Sequence, residues 1–260
     1  MADGRDLHRV EPGSRVDLSE LPTLDTSAAP GDKAATRVAL RDLKDRLADL
    51  QDVLYAGREH KVLLVLQGLD TSGKGGIIEH VIGAVNPIGV RITSFKAPTD
   101  QELARDYLWR VHAEVPAKGE LGVFDRSHYE DVLAVRVEGL VPEAQWQRRY
   151  DHIVAFERLL ADEGTTIVKV LLHLSKAEQE ERLEARRARP EKRWKLNPED
   201  LRTRERWDEY QAAFEDAIER TGTLQAPWYV VPADRKWYAR WAVATMLVAT
   251  LEALDLRWPE

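Results

Sequence analysis

Residues 68–76 form a glycine-rich segment whose spacing suits phosphate binding. The segment follows the apolar run 62–66 and precedes the apolar stretch 77–82. A strand, a G-x-x-x-x-G-K loop and a helix in this order are typical of a P-loop, whose backbone N–H groups face one anion while the lysine, here Lys74, reaches the terminal phosphates. The alternative is an ordinary strand-to-helix turn with chance glycines, and the flanking elements argue against it. The candidate phosphate-binding glycines are Gly68, Gly73, Gly75 and Gly76.

Two aspartates could hold a metal ion beside this loop. A P-loop usually continues with Ser or Thr, whose hydroxyl binds Mg²⁺, but this chain has Gly75 at that position. Asp70 lies inside the loop, and Asp125 ends the apolar run 121–124, at the strand edge where ligands gather in such sheets. A helix N-cap or a loop salt bridge is the simpler interpretation of Asp125. Together with the loop, the two carboxylates predict a metal–phosphate site, and one of them could also accept a proton or position an attacking phosphate.

A basic run over residues 182–195 is the second feature that suits phosphate chemistry. It holds seven Lys or Arg against two Glu, is broken at Pro190, and is followed by a helix start at Asn197 and Pro198. Two helices that project from a sheet with inward arginines can close as a lid over phosphates. The alternative is a solvated charged face, and Asp200 also suits a helix first turn.

Other side chains near the predicted site give weaker signals. Lys96 follows the second predicted strand and lies near the expected phosphates, with a solvated lysine as the alternative. Tyr129 could stack on a base or pack in the core, whereas packing is expected for Trp194 and Trp207. His128 is expected to have a surface or structural role, because no histidine has the spacing of a metal site or a catalytic triad.

The elements that position these residues alternate between strands and helices. Leucines recur at helical spacing over about 34–59, and strands are expected over 62–66, 91–95, 121–124, 167–174 and 228–231. Further helices are expected over about 99–112, 130–138, 143–162 and from a cap at Asp234 to about 254, with capping boxes at Thr99/Glu102 and Ser175/Glu178. This alternation predicts an α/β fold: a P-loop three-layer αβα sandwich with a central parallel sheet and a helical lid at about 182–205.

The composition limits the class of protein and its surroundings. Residues 1–33 are predicted to form an N-terminal arm that lies on the domain 34–260, is partly disordered, or binds a partner subunit. The chain has no cysteine, no apolar run near the roughly 20 residues of a membrane span, and no signal-peptide pattern at its start, so a cytoplasmic location without a membrane partner is expected. Its formal net charge of −7 argues against nucleic-acid binding.

Taken in order, these motifs resemble the polyphosphate kinase 2 family, P-loop enzymes that move phosphate between inorganic polyphosphate and nucleotides. The resemblance runs from about residue 40 to the C-terminus. The matching segments are G-x-D-x-x-G-K-G at 68–75, residues 95–99 with 108–110, residues 125–129, residues 193–200, and residues 227–234 with Lys236.

The resemblance implies roles for individual residues. It implies that Asp70 and Asp125 are catalytic carboxylates that organise Mg²⁺, or Mn²⁺ in its place, and that Lys74 holds phosphates with Lys96 and Arg126. It also implies that Arg186 and Asp200 are lid residues that act on the transferring phosphate. The remaining implied contacts to phosphate or nucleotide come from Tyr129, Glu130 and Lys195. The segment 129–133 is similar to the subgroup that phosphorylates AMP as well as ADP, whose members often carry Asn where this chain has Asp125. Such proteins commonly assemble as dimers or tetramers.

The sequence thus predicts a Mg²⁺-dependent phosphotransferase with polyphosphate and adenine nucleotides as substrates. ADP is the expected acceptor, and AMP stays open as a second one. An ATP-dependent nucleoside monophosphate kinase would share the loop and the basic lid. A non-enzymatic nucleotide-dependent regulator that uses the basic run as an anion patch is the third possibility, and the acidic balance of the chain speaks against it.

Overall fold

The centre of the fold is one parallel sheet. The computed structural model describes residues 4–195 and 198–260, without the side chains of residues 192, 195 and 198–201. All neighbouring strands pair in parallel, in the order β2-β3-β1-β4-β5. The strands are β1 (Lys61–Gln67), β2 (Val90–Ser94), β3 (Leu121–Asp125), β4 (Thr165–His173) and β5 (Trp228–Pro232).

Helices cover both faces of the sheet, which explains why its central strand β1 is apolar and buried at every position from Val62 to Leu66. On β1, Val62, Leu64 and Leu66 pack into one buried cluster, while Leu63 and Val65 pack into the other. Successive side chains of a strand point to opposite faces, so a strand between two helical layers needs apolar residues on both. The α/β sandwich with a central parallel sheet is therefore confirmed.

The helices of the described ranges divide between the two layers. The first cluster is built from α1, α2 and α10, and the second from α6 and α9. No helix among the described residues has both the length and the apolar character needed to cross a bilayer. The helices are α1 (Lys33–Gly57), α2 (Lys74–His80), α3 (Asp100–Leu103), α4 (Trp109–His112), α5 (Ala134–Val137), α6 (Glu143–Asp162), α7 (Lys176–Ala188), α8 (Pro198–Glu205), α9 (Trp207–Thr221) and α10 (Lys236–Glu252).

Three predicted element boundaries are wrong. The helix expected over 99–112 begins with the predicted capping box but splits into α3 and α4, because the Asp106 carboxylate accepts the backbone N–H of Leu108 at 3.1 Å, a bond that competes with the helical ladder. The helix expected over 130–138 is a 3₁₀ turn at His128–Asp131 followed by the short α5. Asp234 does not cap α10, since its carboxylate accepts bonds from the Ser175 N–H and the Thr23 hydroxyl, both at 2.8 Å.

Residues 4–32 pack onto the sheet edge formed by β5. Val10 N–H donates to the Trp228 carbonyl at 2.9 Å, and Val230 N–H donates to the His8 carbonyl at 3.0 Å. Further along, Leu18 is buried in the second cluster. Of the three arrangements that the sequence left open for the arm, the structure shows the one in which the arm lies on the domain. The domain boundary at residue 33 stays a prediction.

Candidate active site

The parallel sheet brings the predicted site residues to one edge. Leu66 near the end of β1 and Ser94 at the end of β2 both lie beside Asp125 in the strand register. The segments that leave these strands therefore emerge together, as expected at the carboxyl edge of a parallel sheet. They border a cavity of about 550 Å³, whose lining includes Asp70, Lys74, Gly75, Gly76, Lys96, Asp125, Arg126 and Arg186.

Backbone geometry explains two of the glycines in the loop. Gly68 has φ +139°, and a Cβ there would lie 2.8 Å from the Ser72 Oγ and 2.9 Å from the Leu172 carbonyl. Gly73, directly before α2, has φ +121°, which is unfavourable for residues with a side chain. Gly75 is different, because a Cβ at that position would meet nothing within 4 Å. Space alone does not exclude the usual Ser or Thr at residue 75.

Lys74 is buried at the base of the cavity. Its Nζ donates to the Gly68 carbonyl at 2.6 Å, so the ammonium closes the loop on itself. Burial lowers the pKa of Lys74, while the carboxylates of Asp70, Asp125 and Glu130 act in the opposite direction. A desolvated cation at this position is stabilised by any phosphate that enters the cavity.

Arg126 connects the second motif to the loop. Its Nη2 donates to the Asp70 Oδ1 at 2.6 Å, and its backbone is left-handed, with φ +64°. Burial lowers the pKa of Arg126, but Glu130, Asp70 and Asp125 outweigh it and raise the pKa overall. For Glu130, burial raises the carboxyl pKa against the opposing charges of Arg126 and Lys74. The predicted cations and carboxylates thus form one electrostatic unit.

Asp70 and Asp125 fit a metal ion that is bound partly by its substrate. Within the described ranges, no group of three or more His, Asp or Glu could hold a metal without further ligands. Mg²⁺ in phosphoryl-transfer sites is often bound through one or two carboxylates and completed by phosphate oxygens and water. Both carboxylates line the cavity into which Lys74 also faces, so this donor set suits Mg²⁺.

The basic run divides into residues with different roles. Arg182, Arg186 and Arg189 all line the cavity, but Arg182 is buried and donates to backbone carbonyls. Its Nη1 bonds the Thr71 and Ser72 carbonyls at 2.9 and 3.0 Å. The helical segment predicted as a lid comprises α7, a 3₁₀ turn at Pro190–Lys195 and α8. The predictions for the Lys195 and Asp200 side chains fall outside the part of the chain that the structure describes.

The second terminal nitrogen of Arg182, Nη2, contacts another loop. It bonds the Ala233 and Asp234 carbonyls at 2.7 and 3.0 Å. These carbonyls lie between β5 and α10, so one guanidinium ties the P-loop to the start of α10. The sequence identified Arg182 only as the first residue of a charged run.

Tyr129 is not part of the cavity, and the predicted nucleotide contact does not hold in this structure. The residue has no exposed surface. Its hydroxyl lies 2.8 Å from Glu157 Oε1 and 2.9 Å from Lys169 Nζ, and Lys169 also donates to Glu157 at 2.6 Å. His128 lies 3.2 Å from the same Glu157 oxygen. These buried groups anchor the segment after Asp125 to β4 and α6, which agrees with the structural role expected for His128.

The predictions for the two tryptophans divide. Trp207 packs against the second cluster as expected, but Trp194 is 78% exposed, so its predicted packing is wrong. Trp194 follows the break at Pro190 in the turn after α7, away from both layers.

Two basic residues of α10 complete the cavity wall. Lys236 and Arg240 both line it and lie one helical turn apart. Arg240 was missed by the sequence analysis, and Lys236 was noted only through the family resemblance. The available signal was their i, i+4 spacing directly after the last apolar strand.

The family model described as polyphosphate kinase 2 matches residues 31–258. The chain is 56% identical over 253 residues to an AMP/ADP-polyphosphate phosphotransferase of Meiothermus ruber, covering 97% of this chain and 95% of that protein. It is 42% identical over 264 residues to an ADP-polyphosphate phosphotransferase of Rhodopseudomonas palustris, covering 97% and 91%. The crystal structure of polyphosphate kinase 2 from Arthrobacter aurescens TC1 superposes with a TM-score of 0.95 at 47% identity, covering 99% of this chain and 92% of that one.

Proposed function

This chain belongs to the polyphosphate kinase 2 family, and on that premise we propose that it transfers phosphate from polyphosphate to both ADP and AMP. That it is a phosphotransferase acting between polyphosphate and nucleotides follows from the family and from its relatives. The second acceptor is supported by the 56% identical relative, whose name includes both AMP and ADP. The 42% identical relative is named for ADP only, so the acceptor range is what needs testing.

The observation that carries the proposed mechanism is the single cavity that contains the loop, both aspartates and the cations. A non-bridging oxygen on the last phosphate of the acceptor attacks the terminal phosphorus of polyphosphate. The bond from that phosphorus to its bridging oxygen breaks, and the chain leaves one phosphate shorter with the electron pair on the oxygen. The attacking oxygen is already anionic near neutral pH, so catalysis needs alignment and charge neutralisation rather than a general base.

The residues divide this work according to their positions. Lys74, Arg126 and Arg186 can neutralise the charge that spreads over the equatorial oxygens during transfer. Asp70 and Asp125 would hold Mg²⁺, or Mn²⁺ in its place, which would supply positive charge to the reacting phosphates. The ion pair between Asp70 and Arg126 fixes the position of the carboxylate relative to the guanidinium before substrate binds.

A matrix of donors and acceptors tests the proposal. Purified protein is incubated with long-chain polyphosphate or ATP as donor and with AMP, ADP, GMP or GDP as acceptor, and the nucleotides are separated by chromatography. We expect ATP from ADP and ADP from AMP with polyphosphate alone. Protein carrying Lys74→Ala, purified identically, measures any contaminating kinase. Conversion of ADP without conversion of AMP would restrict the chain to ADP, and activity with ATP alone would favour the nucleoside monophosphate kinase.

Assembly and location complete the proposal. We expect a homodimer or homotetramer in the cytoplasm, on the basis of the family resemblance and the cysteine-free composition. Light scattering coupled to size exclusion measures the assembly directly. A monomeric mass at assay concentration with full activity would contradict this part.

A further inference from the structure

A second cavity continues from the first across α10. It measures about 480 Å³ and lies between the first turns of α1 and of α10. Lys236 and Arg240 line both cavities, so the two form one continuous concave surface. The cations that belong to the second cavity alone are Lys33, Arg37 and Arg235, and we call these three residues the distal groove.

Positive charge accumulates where the two cavities meet. Burial lowers the pKa of Arg240, and the guanidinium groups of Arg37 and Arg182 lower it further, against the single opposing carboxylate of Glu79. Over the described ranges, no ion pair connects Arg240 or any of the three distal-groove cations to a carboxylate. A protein with a formal net charge of −7 thus has a local excess of cations beside its reaction cavity.

The two acidic residues of the second cavity do not cancel this excess, because the cavity is lined by five Lys or Arg and only these two carboxylates. Glu178 Oε1 accepts from the Arg182 Nε at 2.8 Å. Asp234 accepts from the Ser175 N–H and the Thr23 hydroxyl, both at 2.8 Å. The lining of the second cavity therefore keeps an excess of positive charge, and its two carboxylates are held by hydrogen bonds of their own.

A linear polyanion matches this surface better than a nucleotide does. The aromatic ring in the second cavity, Trp237, packs against the first core cluster and lies edge-on to Tyr238 at 6.0 Å between centroids, so it is engaged in packing rather than offered to a base. Cations on both sides of the junction can contact successive phosphates of one chain.

We propose that the donor polyphosphate leaves the reaction cavity across Arg240 and Lys236 and that its distal phosphates bind the distal groove. This inference rests on the proposed function and adds a chain-length determinant to it. A short donor such as tripolyphosphate occupies the reaction cavity alone, whereas a long chain gains contacts from both cavities. The groove thus selects for long chains without contacting the transferring phosphate.

The test reverses two groove charges that do not line the reaction cavity. The variant Lys33→Glu/Arg37→Glu retains a sound helix start, because acidic residues suit the first turns of a helix. The matched control, Lys118→Glu/Arg158→Glu, makes the same charge change. Lys118 lies before β3, at the amino end of the strands and so away from the carboxyl end where the cavity lies. Arg158 is an 80% exposed residue of α6.

Steady-state kinetics are measured with long-chain polyphosphate, with tripolyphosphate and with ADP varied in turn, at low and high salt. For the groove variant we expect the KM for long-chain polyphosphate to rise about tenfold and its salt dependence to become shallower, because fewer phosphates are neutralised. The KM for tripolyphosphate, the KM for ADP and kcat stay at parent values. Anisotropy of labelled long-chain polyphosphate gives the same comparison as binding, independent of turnover.

The outcomes separate this inference from the proposed function. If the parent protein makes no ATP from ADP and polyphosphate, the proposed function fails. If the parent is active but the groove variant keeps the parent KM for long chains, or loses affinity for tripolyphosphate equally, the distal groove is wrong. A control variant that behaves like the groove variant would also overturn it, because overall charge would then explain the effect.

Discussion

Arg182 offers a sharp test of how the site is held together. Nη1 of its guanidinium donates to the P-loop carbonyls of Thr71 and Ser72, and Nη2 donates to the carbonyls of Ala233 and Asp234. A lysine ammonium can reach one of these pairs but not both. Arg182→Lys therefore loses about two charged hydrogen bonds, each contributing about 1.5–3 kcal/mol, so we expect the free energy of unfolding to fall by about 3–6 kcal/mol.

That loss is smaller than the upper part of the typical range of domain stability, about 5–15 kcal/mol, so we expect the variant to be folded at 25 °C. Turnover should nevertheless fall about 10–100-fold, since the P-loop is no longer fixed to α10 and each tenfold loss corresponds to about 1.4 kcal/mol of transition-state stabilisation. The assay is kcat for ATP formation at 25 °C, with circular dichroism confirming the folded fraction. Arg187→Lys, an exposed neighbour on α7, is the control. Parent-like kcat and stability in Arg182→Lys would refute this role.

Three further predictions follow from the site and its surroundings. Lys74→Ala should cut turnover by orders of magnitude with an unchanged dichroism spectrum, and turnover within a few-fold of the parent would contradict its phosphate contact. Asp70→Asn and Asp125→Asn should each shift the Mg²⁺ titration of activity and combine non-additively, because in the proposed site both would act on one metal–phosphate cluster; a parent-like titration in either would remove that residue from the proposed metal site. Burial raises the pKa of Asp131 to about 6 against the opposing Arg149, so between about pH 4 and 6 the folded chain holds a proton that the unfolded chain has released. Stability from this group is thus present at low pH and lost as pH rises, by up to about 3 kcal/mol, and denaturant unfolding of Asp131→Asn should show a stability difference from the parent that changes across this window; a constant difference would be inconsistent with the raised pKa.

The fold was predictable because its strands are apolar on both faces and alternate with helices. Leu63 and Leu64 read as one buried run, and the structure sends them to opposite layers. The strand order could not be predicted from the sequence, since it depends on which helices pack on which face. The broken helix between Thr99 and His112 was missed because one side-chain bond from Asp106 overrides the helical pattern.

The site was predictable where a residue's role follows from its place at a strand end. Asp125 is the last residue of β3, and Asp70 and Lys74 follow the neighbouring strand β1, so the parallel pairing of these two strands brings the three residues together. Tyr129 lies only four residues after Asp125, yet a 3₁₀ turn directs it into the core. A charged run cannot reveal that Arg182 binds backbone carbonyls of two loops, because that contact depends on the rotation of α7 against the P-loop.

The most direct test of the central claim follows the phosphorus atoms. Phosphorus NMR of long-chain polyphosphate with ADP, Mg²⁺ and the protein, and no ATP, resolves terminal phosphates, internal phosphates and the γ-phosphate of ATP. Transfer of a terminal phosphate converts its neighbour into a new chain end. The account therefore predicts a constant number of chain ends, with one internal phosphate lost for each ATP formed. An increase in chain ends, or release of inorganic phosphate without ATP, would contradict it.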